Sequence, residues 1–409
     1  MHTPLYLDTS SAVDSFLETI AEARTLALDT EGASFHRFVD RIYLLQLSTR
    51  DKTAIIDPLP IGTPARLGQA LESPDIQVVF HDADYDLRLL QQDYGWHVRN
   101  IFDTRIAAQL LGLRAFGLAA LLERYFGVKL DKKHQRADWS MRPLSQGMLD
   151  YAAQDTIHLL ELRDRLEAEL DRAGRLGWAH EEFALLEGTR WPDDDSANAF
   201  LRVKGARDLT RRELAILREL VPWRDAIASQ LDRATFRVIG NEQLLEVSRQ
   251  QPATREALAA IKGMPRGLLE ARGGELLDAV RRGQAAPESD LPRFPKAPRW
   301  DRDPEFDARV SALKTVRDAT ATRLDLDPGV LCARDRLEAV ARKNPSTREE
   351  LAQVSELRRW QAGVLGEDFL KALASHRRGG PASPAPKPAA APRPARAEDD
   401  SPYSDYKPM

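Results

Sequence analysis

The chain is nearly free of cysteine. Among its 409 residues only Cys332 carries a thiol, so an internal disulfide and a multi-cysteine metal site are both excluded. A cysteine-poor chain suits a reducing compartment, and a cytoplasmic protein is expected. Runs of about 18 or more apolar residues are also missing, so no helical membrane span is expected. Met1–Ser10 lacks a basic segment followed by an apolar one, so no secretory leader is expected. Net charge is small, −4 with a pI near 6.1. That excludes a surface coated in one sign but leaves room for a local basic groove. What remains is a globular composition, 43% hydrophobic and 30% charged, in a chain long enough for two or three domains.

The first half reads as alternating strands and helices. Residues 12–23 pattern as a short helix with Phe16 and Ile20 on one face. Strands are expected at Thr25–Asp29, Arg41–Ser48, Thr53–Asp57, Ile76–Phe80 and Val98–Phe102. The short links between the first three predict an antiparallel meander, and the later helix–strand alternation predicts a mixed sheet in an α/β core.

Three acidic clusters stand out. In Leu26-Ala27-Leu28-Asp29-Thr30-Glu31-Gly32 an apolar run ends in two acids spaced i, i+2. Strand side chains alternate, so both carboxylates share one face. At that spacing they repel unless a cation lies between them, and oxygen-rich sites suit Mg²⁺ or Mn²⁺. The second cluster, Asp82, Asp84 and Asp86, lies where a buried strand gives way to a helix. The third holds Tyr151 and Asp155, i, i+4 on one helical face. Taken singly, each also reads as a solvated strand end, a helix cap or an exposed helix face. Their conjunction points to metal-assisted phosphodiester hydrolysis, with four carboxylates able to hold a pair of divalent ions.

The conjunction resembles the DEDD exonuclease superfamily in its tyrosine-bearing subclass. The contexts LALDTEGASFHRFVDRIYLLQLS, VVFHDADYDLRLLQQDYG, FDTRIAAQLLG and ADWSMRPLSQGMLDYAAQDTIHLLELRDRL resemble ribonuclease D. The resemblance spans about residues 1–190 and implies an RNase H-like fold. It implies metal ligands at Asp29, Glu31, Asp86 and Asp155, preferring Asp86 to its two neighbours, and a catalytic tyrosine at Tyr151. It also implies a 3′→5′ exoribonuclease that releases 5′-mononucleotides from single-stranded RNA ends, with tRNA precursors and small structured RNAs as substrates. The tyrosine hydroxyl would orient or help deprotonate the attacking water.

Several residues are candidates for holding RNA. His36 and Arg37 follow the first motif closely, within reach of a scissile phosphate. Lys132, Lys133 and Arg136 belong to a basic run from Lys129 opposed only by Asp131. Trp139 and Arg142 precede the last motif, where a ring could stack on a terminal base and a guanidinium could bind phosphate.

The second half reads as helical. Trp191–Asn198 is acidic and non-periodic, and residues 191–206 are expected to be a linker. Residues 207–284 resemble an HRDC domain through LVPWRD, FRVIGNEQLLEVS and ALAAIKGMP. With 14 Lys/Arg against 11 Asp/Glu over residues 207–282, this unit has the charge sign that would favour nucleic acid. Residues 285–302 read as a second linker. Residues 303–376 read as a diverged HRDC-like copy with its first helix over Leu313–Leu324. The Pro/Ala-rich tail, 377–409, cannot bury enough apolar surface to order itself. A monomer with no membrane partner is expected.

Overall fold

The computed structural model describes residues 4–130, 133–191, 195–295 and 303–377. Its first part is a six-stranded mixed sheet. The strands are β1 (Leu5–Leu7), β2 (Thr25–Glu31), β3 (Leu44–Ser48), β4 (Thr53–Ile56), β5 (Gln77–Phe80) and β6 (Ile101–Asp103), in the order β1-β4-β3-β2-β5-β6. The expected meander is present: β2, β3 and β4 pair antiparallel, while β5 and β6 add on parallel to β2. β1, parallel to β4, was not expected, because three residues are too few to show a period. The last strand begins later than its apolar run, since Asn100 takes a left-handed φ of 49°. The first helix runs Ser10–Thr19 rather than over residues 12–23.

Alternation along β2 decides what faces what. Leu26 and Leu28 pack with Phe16 and Leu89 on one side of the sheet. Ala27 points to the other side, where the helix Gln146–Ile157 lies against β2, β3 and β4. By the two-residue period of a strand, Asp29 and Glu31 share that second face. β5 pairs with β2 only from Thr25 to Ala27. Beyond that point the sheet splays and leaves the two acids at its open end.

Two helical units follow with the same five-helix plan. The first has helices Arg211–Leu231, Thr235–Val238, Asn241–Gln250, Arg255–Ala259 and Arg266–Ala285. The second has Phe306–Leu324, Pro328–Leu331, Arg334–Lys343, Arg348–Ala352 and Arg359–Arg377. Left-handed caps recur at matching places, Asp232 and Gln251 in one and Asp325 and Asn344 in the other. The opening helix of the second unit starts at Phe306, ahead of the apolar run that suggested Leu313.

Two linker expectations are corrected. Residues 195–206 are folded, and Phe200, Val203 and Ala206 are buried in the core of the first unit. The acidic WPDDD run hid this short apolar stretch. Trp191 packs edge-to-face on Tyr85, with ring centroids 6.3 Å apart. In the second linker, Leu291 is buried and Phe294 packs beneath Arg207. Arg377, expected to open the disordered tail, instead ends the last helix; residues 296–302 and the rest of that expected tail, 378–409, lie outside the described residues.

The second helical unit shares a core with the sheet domain, in which Leu313, Leu331 and Phe369 join Phe102, Leu162 and Phe183. Trp178 and Trp360 stack at 4.8 Å. Glu181 accepts the backbone N–H groups of Arg359 and Trp360 at 2.7 and 3.0 Å, capping the last helix across the seam. A carboxylate at a helix N-terminus is favoured by unpaired N–H groups and the helix dipole together.

Candidate active site at the open end of the central strand

Asp29, Glu31 and Asp155 each offer an oxygen within 4.8 Å of the others'. β2 supplies the first two, and the helix Gln146–Ile157 supplies the third. That helix is started by Ser145, whose hydroxyl accepts the Met148 N–H at 3.3 Å. Asp86 comes from the first turn of the helix Asp84–Tyr94. Its Oδ1 accepts both the Thr30 N–H at 3.0 Å and the Thr30 hydroxyl at 2.5 Å. Thr30, between the two acids of β2, thus fixes the fourth carboxylate.

Electrostatically this is a cluster that repels itself. Burial pushes Asp29 well above the usual carboxylate range, and Asp155 adds to the shift. Glu31 is raised by burial and then by Asp29, Asp155 and Asp86. Asp86 is raised by burial and by Asp29. Burial and Asp86 push Asp155 up to about 7. Like charges gathered in a poorly solvated site take up protons or cations. An all-oxygen donor set of this kind fits hard divalent ions.

The other two acids of the second cluster are engaged elsewhere. Asp82, at φ 68°, pairs with Arg105, and Asp84 pairs with Arg88 at 2.8 Å. Asp103 at the end of β6 accepts the N–H groups of Asp82, Ala83, Arg105 and Ile106. It thereby ties down the turn that precedes Asp86. This residue was missed; an acid closing a short strand just before a helix was the available signal.

A second missed residue is Gln46. It stands opposite Asp29 on β3 and is fully buried. Neither polar atom of its amide has a hydrogen-bond partner among the described residues. Directly opposed residues share a face with Cβ atoms about 5 Å apart, so an amide lies beneath the carboxylates.

Comparison with known proteins bears on this arrangement. A 3'-5' exonuclease family model matches residues 4–171, and the HRDC domain model matches 213–280 and 306–373. The chain is 31% identical over 371 residues to a ribonuclease D of Granulibacter bethesdensis, covering 90% of this chain and 92% of the relative. The chain belongs to the ribonuclease D family. As a ribonuclease D-type protein it is a 3′→5′ exoribonuclease. The crystal structure of Escherichia coli RNase D, described as an exoribonuclease involved in structured RNA processing, aligns with TM-score 0.69 at 26% identity. That alignment covers 92% of this chain and all of the other. The catalytic core of RRP6 from Trypanosoma brucei aligns with TM-score 0.59 at 28% identity, over 69% of this chain and 82% of that one.

In this member of the family, Tyr151 is half-buried between Trp139 (6.1 Å between rings) and His134 (6.2 Å). Two expected RNA contacts are corrected. Trp139 is 1% exposed, so its ring is packing for Tyr151 and offers no face to a base. Arg142 donates to both Asp57 oxygens, at 2.5 and 2.9 Å, and to the carbonyls of Trp139, Met141 and Tyr43. Its fork is spent on holding the loop, and Asp57 has neutralised it. Burial alone would raise Asp57, but Arg142, Tyr6 and the Leu59 N–H outweigh it and hold the carboxyl below its usual value.

His36 and Arg37 lie at a domain junction. The His36 imidazole meets the Arg136 carbonyl at 3.1 Å and Arg237 at 3.2 Å. Arg37 donates to Ser140 at 2.7 Å and to Asp232 of the first helical unit at 3.2 Å. Their expected contact with a scissile phosphate is replaced by these protein partners. Lys133 and Arg136 are exposed on the 133–136 turn, and Lys132 lies outside the described residues. No helix among the described residues is long and apolar enough to cross a membrane.

Proposed function

We propose that this chain binds two divalent ions, Mg²⁺ or Mn²⁺, through Asp29, Glu31, Asp86 and Asp155, and trims single-stranded 3′ ends of tRNA precursors and small structured RNAs in the cytoplasm. The observation that carries the reading is the gathering of carboxylate oxygens from two separate elements within 4.8 Å, in a site where each acid is held above its normal pKa. Ions so bound would lower the pKa of water toward neutrality and offset charge on the phosphate.

The protein's own contribution is placement. Thr30 holds Asp86 in place beside the strand that carries Asp29 and Glu31. Tyr151, steadied by Trp139 and His134, brings a hydroxyl to the attacking water. Water activated by the site needs orientation rather than a strong base. The sheet-end carboxylates accept RNA and DNA alike, and preference for RNA would come from contacts to the 2′-hydroxyl.

The test compares matched RNA and DNA oligonucleotides and a 3′-extended tRNA precursor, with Mg²⁺, Mn²⁺ or EDTA. Metal-dependent release of 5′-mononucleotides from RNA and shortening of the precursor to a discrete end are expected. Equal activity in EDTA, or rapid DNA digestion with inert RNA, contradicts the reading.

A further inference from the structure

We infer that the first helical unit completes the RNA track of the active site, through an aromatic step formed by Phe35 of the sheet domain and Phe236 of the helical unit. The inference rests on the exoribonuclease reading above and adds a binding subsite to it. Phe35 lies four residues past Glu31, and Phe236 lies in the short helix Thr235–Val238. Their rings meet edge-to-face at 6.3 Å. Phe236 is nevertheless 54% exposed, which is unusual for a phenylalanine already in contact with a partner ring.

Each ring carries its own guanidinium. Arg136 lies 5.3 Å over Phe35, and Arg237 lies 6.0 Å from the Phe236 centroid. Both arginines are exposed. The junction is pinned by the backbone bond from the Ala234 N–H to the His36 carbonyl at 3.3 Å, and by Arg237 donating to the Phe35 carbonyl. Asp232 and Asp138 stand nearby, and both face Arg37.

The 133–136 turn links the tyrosine to this step. Tyr151 meets His134 at 6.2 Å, His134 is two residues from Arg136, and Arg136 covers Phe35. An exposed Phe236 ring beside a half-buried Phe35, interleaved with guanidinium groups, suits one class of occupant, a single-stranded nucleic acid whose bases stack while its phosphates are paired. An apolar peptide would gain nothing from the two arginines. In this geometry the nucleotides upstream of the scissile bond leave the sheet domain across Phe35 and stack on Phe236.

The test measures KM and kcat of the full chain on a 5′-labelled single-stranded decamer RNA, for wild type and for Phe236→Ala, Phe236→Leu and Phe236→Trp, with thermal melts as a fold control. Loss of one stacked base predicts a KM about tenfold higher for Phe236→Ala, with kcat changed less than about twofold. Phe236→Trp returns KM to the wild-type range and Phe236→Leu does not. An unchanged KM in Phe236→Ala overturns the inference while leaving the exoribonuclease reading intact. Rescue by Phe236→Leu overturns it in favour of plain interdomain packing. A wild type inert on RNA overturns both.

Discussion

Replacing Asp155 by Asn should stabilise the metal-free protein. Asp155 is carried from an ordinary 3.8 to about 7 by burial and by Asp86. A carboxyl raised in the folded state costs nothing below its unfolded pKa, where both states are protonated. Its cost grows as pH rises and is complete above the folded value. At about 1.36 kcal/mol per pKa unit the full cost at pH 8 is about 4 kcal/mol. Water reaching a carboxylate that is not fully buried brings this down to roughly 2–4 kcal/mol. The assay is thermal or urea unfolding in EDTA at pH 8 and pH 4. Asp155→Asn should exceed wild type at pH 8 by that margin, which is about 4–8 °C for the lower figure. The gap should close toward pH 4. Adding Mn²⁺ should raise the wild type and leave the variant nearly unmoved, because a ligand that binds only the folded state stabilises it. A variant no more stable than wild type in EDTA at pH 8, or a gap independent of pH, refutes the account of a self-repelling, cation-binding cluster.

Three further outcomes follow from particular contacts. Gln46→Leu removes a buried amide that has no hydrogen-bond partner among the described residues, so it should leave urea stability equal or higher while lowering kcat on RNA at least tenfold; full activity in a stable variant would reduce Gln46 to filling. Asp57→Ala strands Arg142 and loosens the loop under Trp139; it should cost about 2–4 kcal/mol in urea unfolding at pH 7. Because the Asp57 carboxyl is depressed in the folded state, the wild-type advantage should hold above the ordinary carboxyl range and fade as pH falls through the lowered value. Gly32→Ala would put a methyl 2.7 Å from Asp40 Oδ1 and 2.9 Å from the Tyr85 hydroxyl. A displaced Tyr85 disturbs Asp86 beside it, so kcat should fall about tenfold or more with little change in KM; wild-type kcat would contradict this.

Much of the fold was legible because its cues are local. Alternation along Leu26–Glu31 gave the central strand and the shared face of its two acids, and the i, i+4 spacing put Tyr151 and Asp155 on one helical face. The mixed sheet followed from the order of strands and helices. Cues that depend on partners far along the chain were not legible. Trp139 and Arg142 have the residue types of an RNA contact, yet Arg142 finds its carboxylate 85 residues away and Trp139 is covered by the helix it supports. His36 and Arg37 likewise meet a helical unit some 200 residues on. Phe200 and Val203 sat beside an acidic run whose composition masked their burial. Gln46 was invisible as a candidate because its significance lies in being buried opposite Asp29 with no hydrogen-bond partner among the described residues, which only the structure reveals.

The most direct measurement is digestion of one single-stranded RNA labelled at either end, with Mg²⁺ or Mn²⁺, by wild type and by Asp155→Ala. The account predicts mononucleotide from the 3′ label, a shrinking ladder from the 5′ label, and loss of both in the variant. An Asp155→Ala protein that cuts as well as wild type would contradict the assignment of the carboxylate cluster to catalysis.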